Sequence, residues 1–379
     1  MINSKRLAEC FEMLVKIDSV SRKEGEIASK LAGMLEEMGA TVVFDNAGEM
    51  VGGESGNLVA KFPGSVAAEP LFLSGHMDTV EPGTGVNPVF EEGVFRSDGT
   101  TILGADDKSA IAIILEVLTT VLEKKLPHPP IEIVFTVCEE VGLLGAKHFD
   151  FSLLESKNGY ILDSTDIEGI VTRAPAANRF TIKVHGKDAH AGAAPENGIN
   201  AIFIASKAMA NLELGRIDHE TTCNIGTIKG GKATNIVPDL VTIDGEARSH
   251  DEKKLEKVTD AIITPFYRAA DQARIQNQKM PGIEVDLEQD FPATNIDEDH
   301  FVVRLAKRSA ENLGKTMETK TIGGGADANI FFGKGITAGV LGTGMTDVHT
   351  VRESVRLSDM VDTANLVLEI LNVHALGEL

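Results

Sequence analysis

Histidine and carboxylate side chains, the usual ligands of divalent metal ions, follow several predicted strands of this sequence. The clearest stretch is LFLSGHMDTV, in which a short buried strand, Leu71 to Ser74, is expected to end at Gly75. His76 and Asp78 follow two positions apart, so extended backbone would direct both side chains from one face. A histidine beside a carboxylate often pairs a metal ligand with the group that orients it. Taken alone, the pair is more typical of an ordinary polar loop.

Four further places in the chain offer the same kinds of side chain. They are Asp106 at the start of a predicted helix, Glu139 and Glu140 after IEIVFTV, Asp163 at the end of GYIL, and His349 after TAGVLG. Each has an ordinary explanation by itself, such as a helix N-terminus for Asp106. Together they favour one shared cleft, because open α/β sheets bind ligands outside the carboxyl ends of their strands.

The residue types in this set point to metal-dependent hydrolysis. Two histidines and several carboxylates, without cysteine, suit divalent ions such as Zn²⁺, Co²⁺ or Mn²⁺. Two ions that share a bridging carboxylate can activate a hydroxide near neutral pH and stabilise the oxyanion formed by its attack. A carboxylate that binds neither ion must take the proton of the water and pass it to the leaving amine.

The elements that must position these residues alternate between strands and helices. Helices are predicted over 3–18, 22–38 and from about Asp106 to Lys125, and residues 81–99 are expected to form a loop. Such alternation predicts an α/β domain with a mostly parallel sheet and helices on both faces.

The pattern changes from about residue 176, where the predicted order becomes βαββαβ. This order is typical of a compact α+β sandwich of the ferredoxin-like type, which can fold as a unit. We therefore expect a catalytic, metal-binding domain formed by residues 1–175 and 290–379, with a smaller domain inserted at 176–289.

Composition and charge exclude several classes of function. The chain has 379 residues and a formal net charge of -21, which disfavours nucleic-acid binding because phosphate contacts need a basic surface. Its three cysteines are far apart and form no CxxC pair, so neither a disulfide framework nor a thiolate zinc site is expected. No apolar run has the length of a membrane span, and the amphipathic N-terminus is unlike a signal peptide. We expect a cytoplasmic protein without nucleic-acid or membrane partners.

The motifs LFLSGHMDTV, LGADDKSAIA, CEEVGLLGA, YILDS and VHT resemble those of the M20 family of dinuclear zinc peptidases. They occur in order over nearly the whole chain, and the peptidase T-like (tripeptidase-like) branch is the most similar. The resemblance implies two divalent metal ions, expected to be Zn²⁺ with Co²⁺ or Mn²⁺ as alternatives. It assigns His76 and Asp163 to one ion, Glu140 and His349 to the other, and Asp106 to a bridge between them. It also implies that Asp78 orients His76 and that Glu139 is the general base.

The inserted segment resembles the lid and dimerisation domain of the same family. This implies a homodimer in which His190 supports the oxyanion in the active site of the partner subunit. Asn235 in KATNIVPD and Arg248 in GEARS match positions that hold a substrate carboxylate. Without the resemblance, these residues would be interpreted as a loop histidine, a turn asparagine and a strand-end arginine. The glycines of residues 323–329, GGGADAN, fit either a substrate-facing loop or a tight turn.

The leading hypothesis is a metallo-aminopeptidase that releases the N-terminal residue of short peptides. The segment AHAGAAPENGINAI, however, resembles the broader deacylase and peptidase pattern of the family. A second hypothesis is therefore an amidohydrolase or deacylase that acts on N-acyl amino acids or other small amides. A third is a non-catalytic, metal-dependent peptide-binding protein, which the presence of Glu139 and every metal ligand disfavours.

Overall fold

The computed structural model describes residues 2–274 and 280–379 and divides into two compact units. The first unit comprises Met1–Arg173, Thr294–Ile322 and Ala326–Leu379, and the inserted unit comprises Ala174–Ala293 with Gly323–Gly325. The catalytic and lid roles expected for these two parts of the chain stay predictions.

The α-helices of the described residues, in chain order, are α1 (Ser4–Val15), α2 (Gly25–Glu37), α3 (Ala47–Val51), α4 (Ala105–Lys124), α5 (Leu144–Lys147), α6 (Ala201–Met209), α7 (Glu252–Ala273), α8 (Phe301–Asn312), α9 (Asp327–Gly333) and α10 (Leu357–Leu376). Local sequence sets several of their starts. The side chain of Asn3 accepts the main-chain N–H of Arg6 at the start of α1, and Asp251 accepts that of Lys254 in α7. Among the described residues, no helix combines the length and the apolar character needed to cross a membrane.

The strands of the described residues are β1 (Thr41–Phe44), β2 (Leu58–Phe62), β3 (Leu71–His76), β4 (Val89–Glu91), β5 (Val94–Arg96), β6 (Ile131–Thr136), β7 (Asn158–Ser164), β8 (Gly169–Ala174), β9 (Ala176–His185), β10 (Gly215–Arg216), β11 (Thr221–Gly230), β12 (Leu240–Ser249), β13 (Gly282–Phe291), β14 (Thr294–Asn295), β15 (Glu318–Thr321), β16 (Thr337–Gly342), β17 (Met345–Thr346) and β18 (Ser354–Arg356).

The main sheet of the first unit has the strand order β1-β2-β6-β3-β7-β16-β8-β14, with β15 beside β8. Its centre is parallel, because β3 pairs in parallel with both β6 and β7, and β16 pairs in parallel with β7. The outer pairs of β1 with β2 and β2 with β6 are antiparallel. The predicted α/β class with a mostly parallel sheet is confirmed.

Both faces of the central strands are covered. In β3, Leu71 and Leu73 belong to the main apolar core with α4 and α10, while the intervening Phe72 stacks on Phe331 of α9 at 5.4 Å. Side chains alternate between the faces of a strand, so the two groups of contacts lie on opposite sides of the sheet. The strands β3 and β6 are buried along their whole length, as expected for a parallel sheet between helices.

The structure corrects two local predictions. The strand β3 does not end at Gly75 but continues to His76, because both residues pair with β6. The glycine at position 75 leaves room for a neighbouring side chain. A Cβ atom at Gly75 would lie 2.7 Å from Oδ2 of Asp107. The predicted loop at 81–99 contains β4 and β5, which join β17 and β18 in a second sheet of order β17-β18-β5-β4. These strands are too short to show a period in the sequence, and β5 is joined to this sheet by pairing with β18, more than 200 residues away in the chain.

The inserted unit has the predicted βαββαβ order, formed by β9, α6, β11, β12, α7 and β13. Its sheet has the order β10-β11-β12-β9-β13, and its neighbouring strands pair antiparallel. The helices α6 and α7 contact each other and both contact β9 and β12, so the unit has two layers. Its own core includes Phe180, Ile243 and Phe266.

Candidate metal centre

Four adjacent strands of the main sheet deliver the predicted ligands to one edge. In the order β6-β3-β7-β16, the strands are parallel and their carboxyl ends lie side by side. His76 ends β3, Asp163 lies near the end of β7, and Glu139 and Glu140 follow β6, while His349 lies in the loop after β17. Strand order therefore brings together residues that are far apart in the chain, such as Asp106 and His349, which are 243 positions apart.

Asp106 lies between the two histidines. Its Oδ1 is 3.1 Å from Nε2 of His76, and its Oδ2 is 3.1 Å from Nε2 of His349. Nε2 of His349 also lies 3.0 Å from Oε2 of Glu140. His76 is almost fully buried, whereas half of the His349 side chain is exposed, so the cluster is open to solvent on the His349 side.

Asp163 and Glu139 complete the cluster on the His76 side. Ligand atoms of His76, Glu139 and Asp163 all lie within 4.8 Å of one another, as do those of Asp106, Asp107 and Asp163. The set His76, Asp106 and Glu140 meets the same criterion. All the metal ligands predicted from the sequence are thus neighbours in space.

Asp78 supports both halves of the cluster. Its Oδ1 lies 3.4 Å from Nδ1 of His76, and its main-chain carbonyl is 2.9 Å from the same nitrogen. The carboxylate also accepts the main-chain N–H groups of Glu139 at 2.9 Å and Glu140 at 3.3 Å, and the hydroxyl of Ser21 at 2.6 Å. One buried carboxylate therefore holds both the imidazole of His76 and the turn that follows β6.

The electrostatics of the cluster show an excess of buried negative charge. Burial, reinforced by the charge of Asp106, raises the pKa of Asp163 to about 7, and burial raises the pKa of Glu139 well above its ordinary value. Burial acts in the same direction on Asp106, but hydrogen bonds from His349 and His76 hold the pKa of that carboxyl well below its usual range. The same contacts to Asp106 and Glu140 raise the pKa of His349 to about 10. Bound cations would relieve this crowding of carboxylates.

The donor set fits divalent metal ions. The ligand atoms that surround Asp106 are 3.0–3.1 Å apart, close to the spacing of about 3.3 Å between two atoms on one tetrahedral ion. Three buried carboxylate oxygens in or near the cluster have no hydrogen-bond partner: Oε1 of Glu140, Oδ1 of Asp107 and Oδ1 of Asp327. Buried, unpartnered carboxylate oxygens beside imidazole nitrogens are the environment that Zn²⁺, Co²⁺ and Mn²⁺ favour.

Three acidic residues near the cluster were not singled out from the sequence. Asp107, beside Asp106 in LGADDKS, accepts the main-chain N–H of His76 at 3.1 Å. Asp327, in GGGADAN, accepts the hydroxyl of Thr136 at 2.6 Å. The side-chain carboxylate of Glu353 accepts main-chain N–H groups of the segment that contains Asp106. The first two occur inside motifs that had already been noted, whereas nothing in the local sequence distinguishes Glu353.

The three predicted substrate-binding residues lie in the inserted unit. His190 and Asn235 are on neighbouring segments, since the N–H of Ala191 donates to the carbonyl of Asn235 at 2.9 Å. Both side chains belong to exposed residues. The guanidinium of Arg248 makes two contacts with Glu246, of 3.0 and 3.1 Å, and lies 5.8 Å from the ring centroid of Phe291. Their roles toward substrate stay predictions.

A sheet edge that brings histidines and carboxylates together in this way is suited to metal-dependent hydrolysis. The chain belongs to the peptidase family M20/M25/M40, whose sequence profile matches residues 72–373. It is therefore an enzyme of the peptidase class, and the resemblance to the M20 family noted in the sequence is confirmed.

Relatives and solved structures agree with this assignment. The uncharacterized protein YqjE of Bacillus subtilis is 41% identical over 99% of this chain and 100% of its own length. Peptidase T of Brevibacillus brevis is 27% identical over 74% of this chain and 68% of its own length. The aminopeptidase PepT of Bacillus cereus has a TM-score of 0.89, and a tripeptidase of Staphylococcus aureus has a TM-score of 0.91. Each of these two structures is 39% identical and covers 99% of both chains.

Proposed function

We propose that this chain is a dinuclear metallo-aminopeptidase that removes the N-terminal residue from short peptides, including tripeptides. The observation that carries the proposal is the carboxylate of Asp106, which has one imidazole on each of its two oxygens. The buried carboxyl of Glu139 lies beside this arrangement, within the same group of ligand atoms as His76. Similarity to an aminopeptidase and a tripeptidase over nearly the whole chain supports short peptides as substrates.

The metal ligands in this proposal fall into two pairs around a shared carboxylate. His76 and Asp163 would hold one ion, Glu140 and His349 the other, and Asp106 would bridge them. When bound, two Zn²⁺ ions would polarise the scissile carbonyl and lower the pKa of a water molecule toward neutrality. Asp78 keeps the imidazole of His76 in place through its contacts with Nδ1.

Glu139 is the general base of the proposed reaction. Its carboxylate takes a proton from the attacking water and then donates that proton to the amine that leaves. Its surroundings suit this role, because the Asp78 carboxylate holds its main-chain N–H and burial keeps its carboxyl away from bulk water. Cations bound nearby would favour its ionised form, which is the form that a base requires.

Substrate recognition is assigned to the inserted unit. Nδ1 of His190 lies 3.1–3.2 Å from the N–H groups of Gly192 and Ala193, so Nδ1 accepts and Nε2 carries the proton. The Nε2–H group is thus available to donate to an oxyanion. Asn235 and Arg248 would hold the carboxylate of the peptide, for which a planar guanidinium is well suited.

The general base is tested with Glu139→Gln, which keeps the size of the side chain but removes the proton acceptor. Metal content should stay at the wild-type level, while kcat for a tripeptide should fall about 10²- to 10⁴-fold. The matched control is Glu37→Gln, at an exposed position at the end of α2, which should leave kcat unchanged. Undiminished turnover by the Glu139 variant would refute the assigned mechanism.

The substrate class is tested with a panel of tripeptides, dipeptides and N-acyl amino acids, each assayed with added Zn²⁺, Co²⁺ or Mn²⁺. We expect the highest kcat/KM for peptides with a free N-terminal amine. Preferred cleavage of N-acyl amino acids would instead establish an amidohydrolase or deacylase. Tight binding of peptides without cleavage of any member of the panel would establish a non-catalytic binding protein.

We also propose a homodimer formed through the inserted unit. Ile202 and Phe203 of α6 and Ile228 of β11 are 42%, 58% and 51% exposed, so the unit presents large apolar side chains that a second copy would cover. His190 would then act in the partner subunit. Light scattering at micromolar concentration should give twice the mass of the chain, and a monomer would contradict the proposal.

A further inference from the structure

Glu353 is a buried carboxylate that lies outside the proposed set of ligands. It immediately precedes β18 and is 1% exposed. Oε2 accepts the main-chain N–H groups of Leu103 at 2.7 Å and Gly104 at 2.8 Å, and Oε1 accepts that of Asp106 at 3.0 Å. One side chain thus receives three hydrogen bonds from a single segment, which lies 247 to 250 positions earlier in the chain.

These three N–H groups need a partner from elsewhere in the fold. They belong to the start of α4, where N–H groups have no carbonyl within the helix to bond to. Asp106 itself is not helical, with φ of -84° and ψ of 101°, and Gly104 has a left-handed φ of 79°. The segment is buried, so water cannot replace the missing partners. A negative carboxylate is the strongest acceptor available to such a group of donors.

The main chain of Glu353 is itself held at both ends. Its N–H donates to the carbonyl of Thr350 at 3.1 Å, and its carbonyl accepts the N–H of Ser97 at 3.1 Å. The strand β18 that follows pairs with β5. Thr350 adjoins His349, so Glu353 connects the loop that carries His349 to the segment that carries Asp106.

We propose that Glu353 is a positioning residue of the metal centre, which sets the place of the Asp106 carboxylate relative to His349 by binding the main chain of the Asp106 segment. This inference rests on the proposed function, because it assigns Asp106 and His349 to the metal ions. Glu353 does not contact the ligand atoms and therefore takes no part in the chemistry. Removal of its charge should loosen the bridge between the two histidines without removing any ligand.

The test compares Glu353→Gln with a matched control, Glu132→Gln. Glu132 is 3% exposed and also accepts main-chain N–H groups, from Glu155 at 3.0 Å and Ser156 at 2.7 Å. It pairs in addition with Lys61 at 3.0 Å, but it contacts none of the proposed ligands. In each variant, glutamine replaces one carboxylate oxygen by an NH₂ group. This group cannot accept a hydrogen bond and is placed against a main-chain N–H. The two variants therefore disturb similar buried hydrogen bonds, and only one of them lies at the metal centre.

Three measurements on the whole 379-residue chain test the proposal. Titration with Zn²⁺ in competition with a chelator should show affinity about 10- to 100-fold weaker in Glu353→Gln than in the wild type, and unchanged in Glu132→Gln. The absorption bands of bound Co²⁺, which report ligand geometry, should change only in the Glu353 variant. In the metal-free wild type, hydrogen exchange should be slow at the amides of Leu103, Gly104 and Asp106.

The results distinguish a failure of the positioning role of Glu353 from a failure of the proposed function. Wild-type Zn²⁺ affinity and Co²⁺ bands in Glu353→Gln would overturn the positioning role, even if the enzyme is a metallopeptidase. Fast exchange of the three amides in the wild type would also overturn it, and this measurement remains decisive if the variant does not fold. A wild-type protein that binds neither Zn²⁺ nor Co²⁺ would instead refute the proposed function.

Discussion

Replacement of Asp163 by Asn should make the metal-free protein more stable at pH 8, although it removes a proposed metal ligand. Burial and the nearby Asp106 raise the pKa of Asp163 from 3.8 to about 7 in the folded chain. Each unit of pKa is worth about 1.4 kcal/mol, so this carboxylate opposes folding by about 4 kcal/mol once it is fully ionised. An asparagine of nearly the same shape carries no charge and avoids that cost.

The direction of the pH dependence follows from the difference between the pKa of Asp163 in the unfolded chain, 3.8, and its pKa in the folded chain, about 7. Between pH 3.8 and about 7, the folded protein retains a proton that the unfolded chain has lost, so stability falls as the pH rises. Above about pH 7 the penalty is complete. The stabilisation by Asp163→Asn should therefore be small near pH 4, larger at pH 6 and greatest at pH 8.

The assay is thermal or urea unfolding in the presence of a chelator at these three pH values. Asp163→Asn should raise Tm at pH 8 by several degrees relative to the wild type, and added Zn²⁺ should raise Tm of the wild type alone. The exposed Asp299 provides the control, since Asp299→Asn should not alter the pH profile. Equal or lower stability of the Asp163 variant at pH 8 would refute the view that the metal-free centre is strained by buried negative charge.

Two further predictions concern the support of the centre and the packing of the sheet. Asp78→Asn should weaken Zn²⁺ binding about 10- to 100-fold, because the neutral amide attracts the imidazole of His76 less strongly and has one acceptor oxygen for the N–H groups of Glu139 and Glu140 in place of two. Asp45→Asn, at another carboxylate that accepts main-chain N–H groups, should leave the affinity unchanged in the same chelator titration, and an equal loss in both would contradict the reasoning. Phe331→Ala should lower the free energy of unfolding by about 3–5 kcal/mol in urea, because it leaves a cavity among three aromatic rings. Phe44→Ala, at a ring that is 41% exposed, should cost much less, and similar losses would argue against a packed aromatic cluster.

Much of the fold could be predicted because its signals are local. Apolar β-branched runs such as residues 131–137, and helical periodicity from Asp106 onward, depend on neighbours within a few positions. They led to the confirmed α/β class and the βαββαβ order of the insert. The strands β4 and β5 were missed because each has three residues, and because β5 pairs on its other side with the remote strand β18.

The candidate site likewise has features that the local sequence predicts and features that depend on distant segments. Its ligands could be proposed from the motifs that contain His76, Asp106, Glu140 and His349, since each motif combines a strand or helix end with a metal-binding side chain. The role of Gly75 could not be predicted from the sequence. A glycine is needed there because Asp107, from another segment, approaches closely.

The sequence by itself determined the types of residue at the centre, the family of the enzyme and the alternation of its elements. Only the tertiary structure decided that Asp106 lies between two imidazoles, that Asp78 holds the turn after β6, and that Glu353 receives three main-chain N–H groups. The physical reason is the distance along the chain over which each kind of interaction acts. Propensity and periodicity act over a few residues, whereas a hydrogen bond between residues 247 positions apart exists only after strand order has brought their loops together.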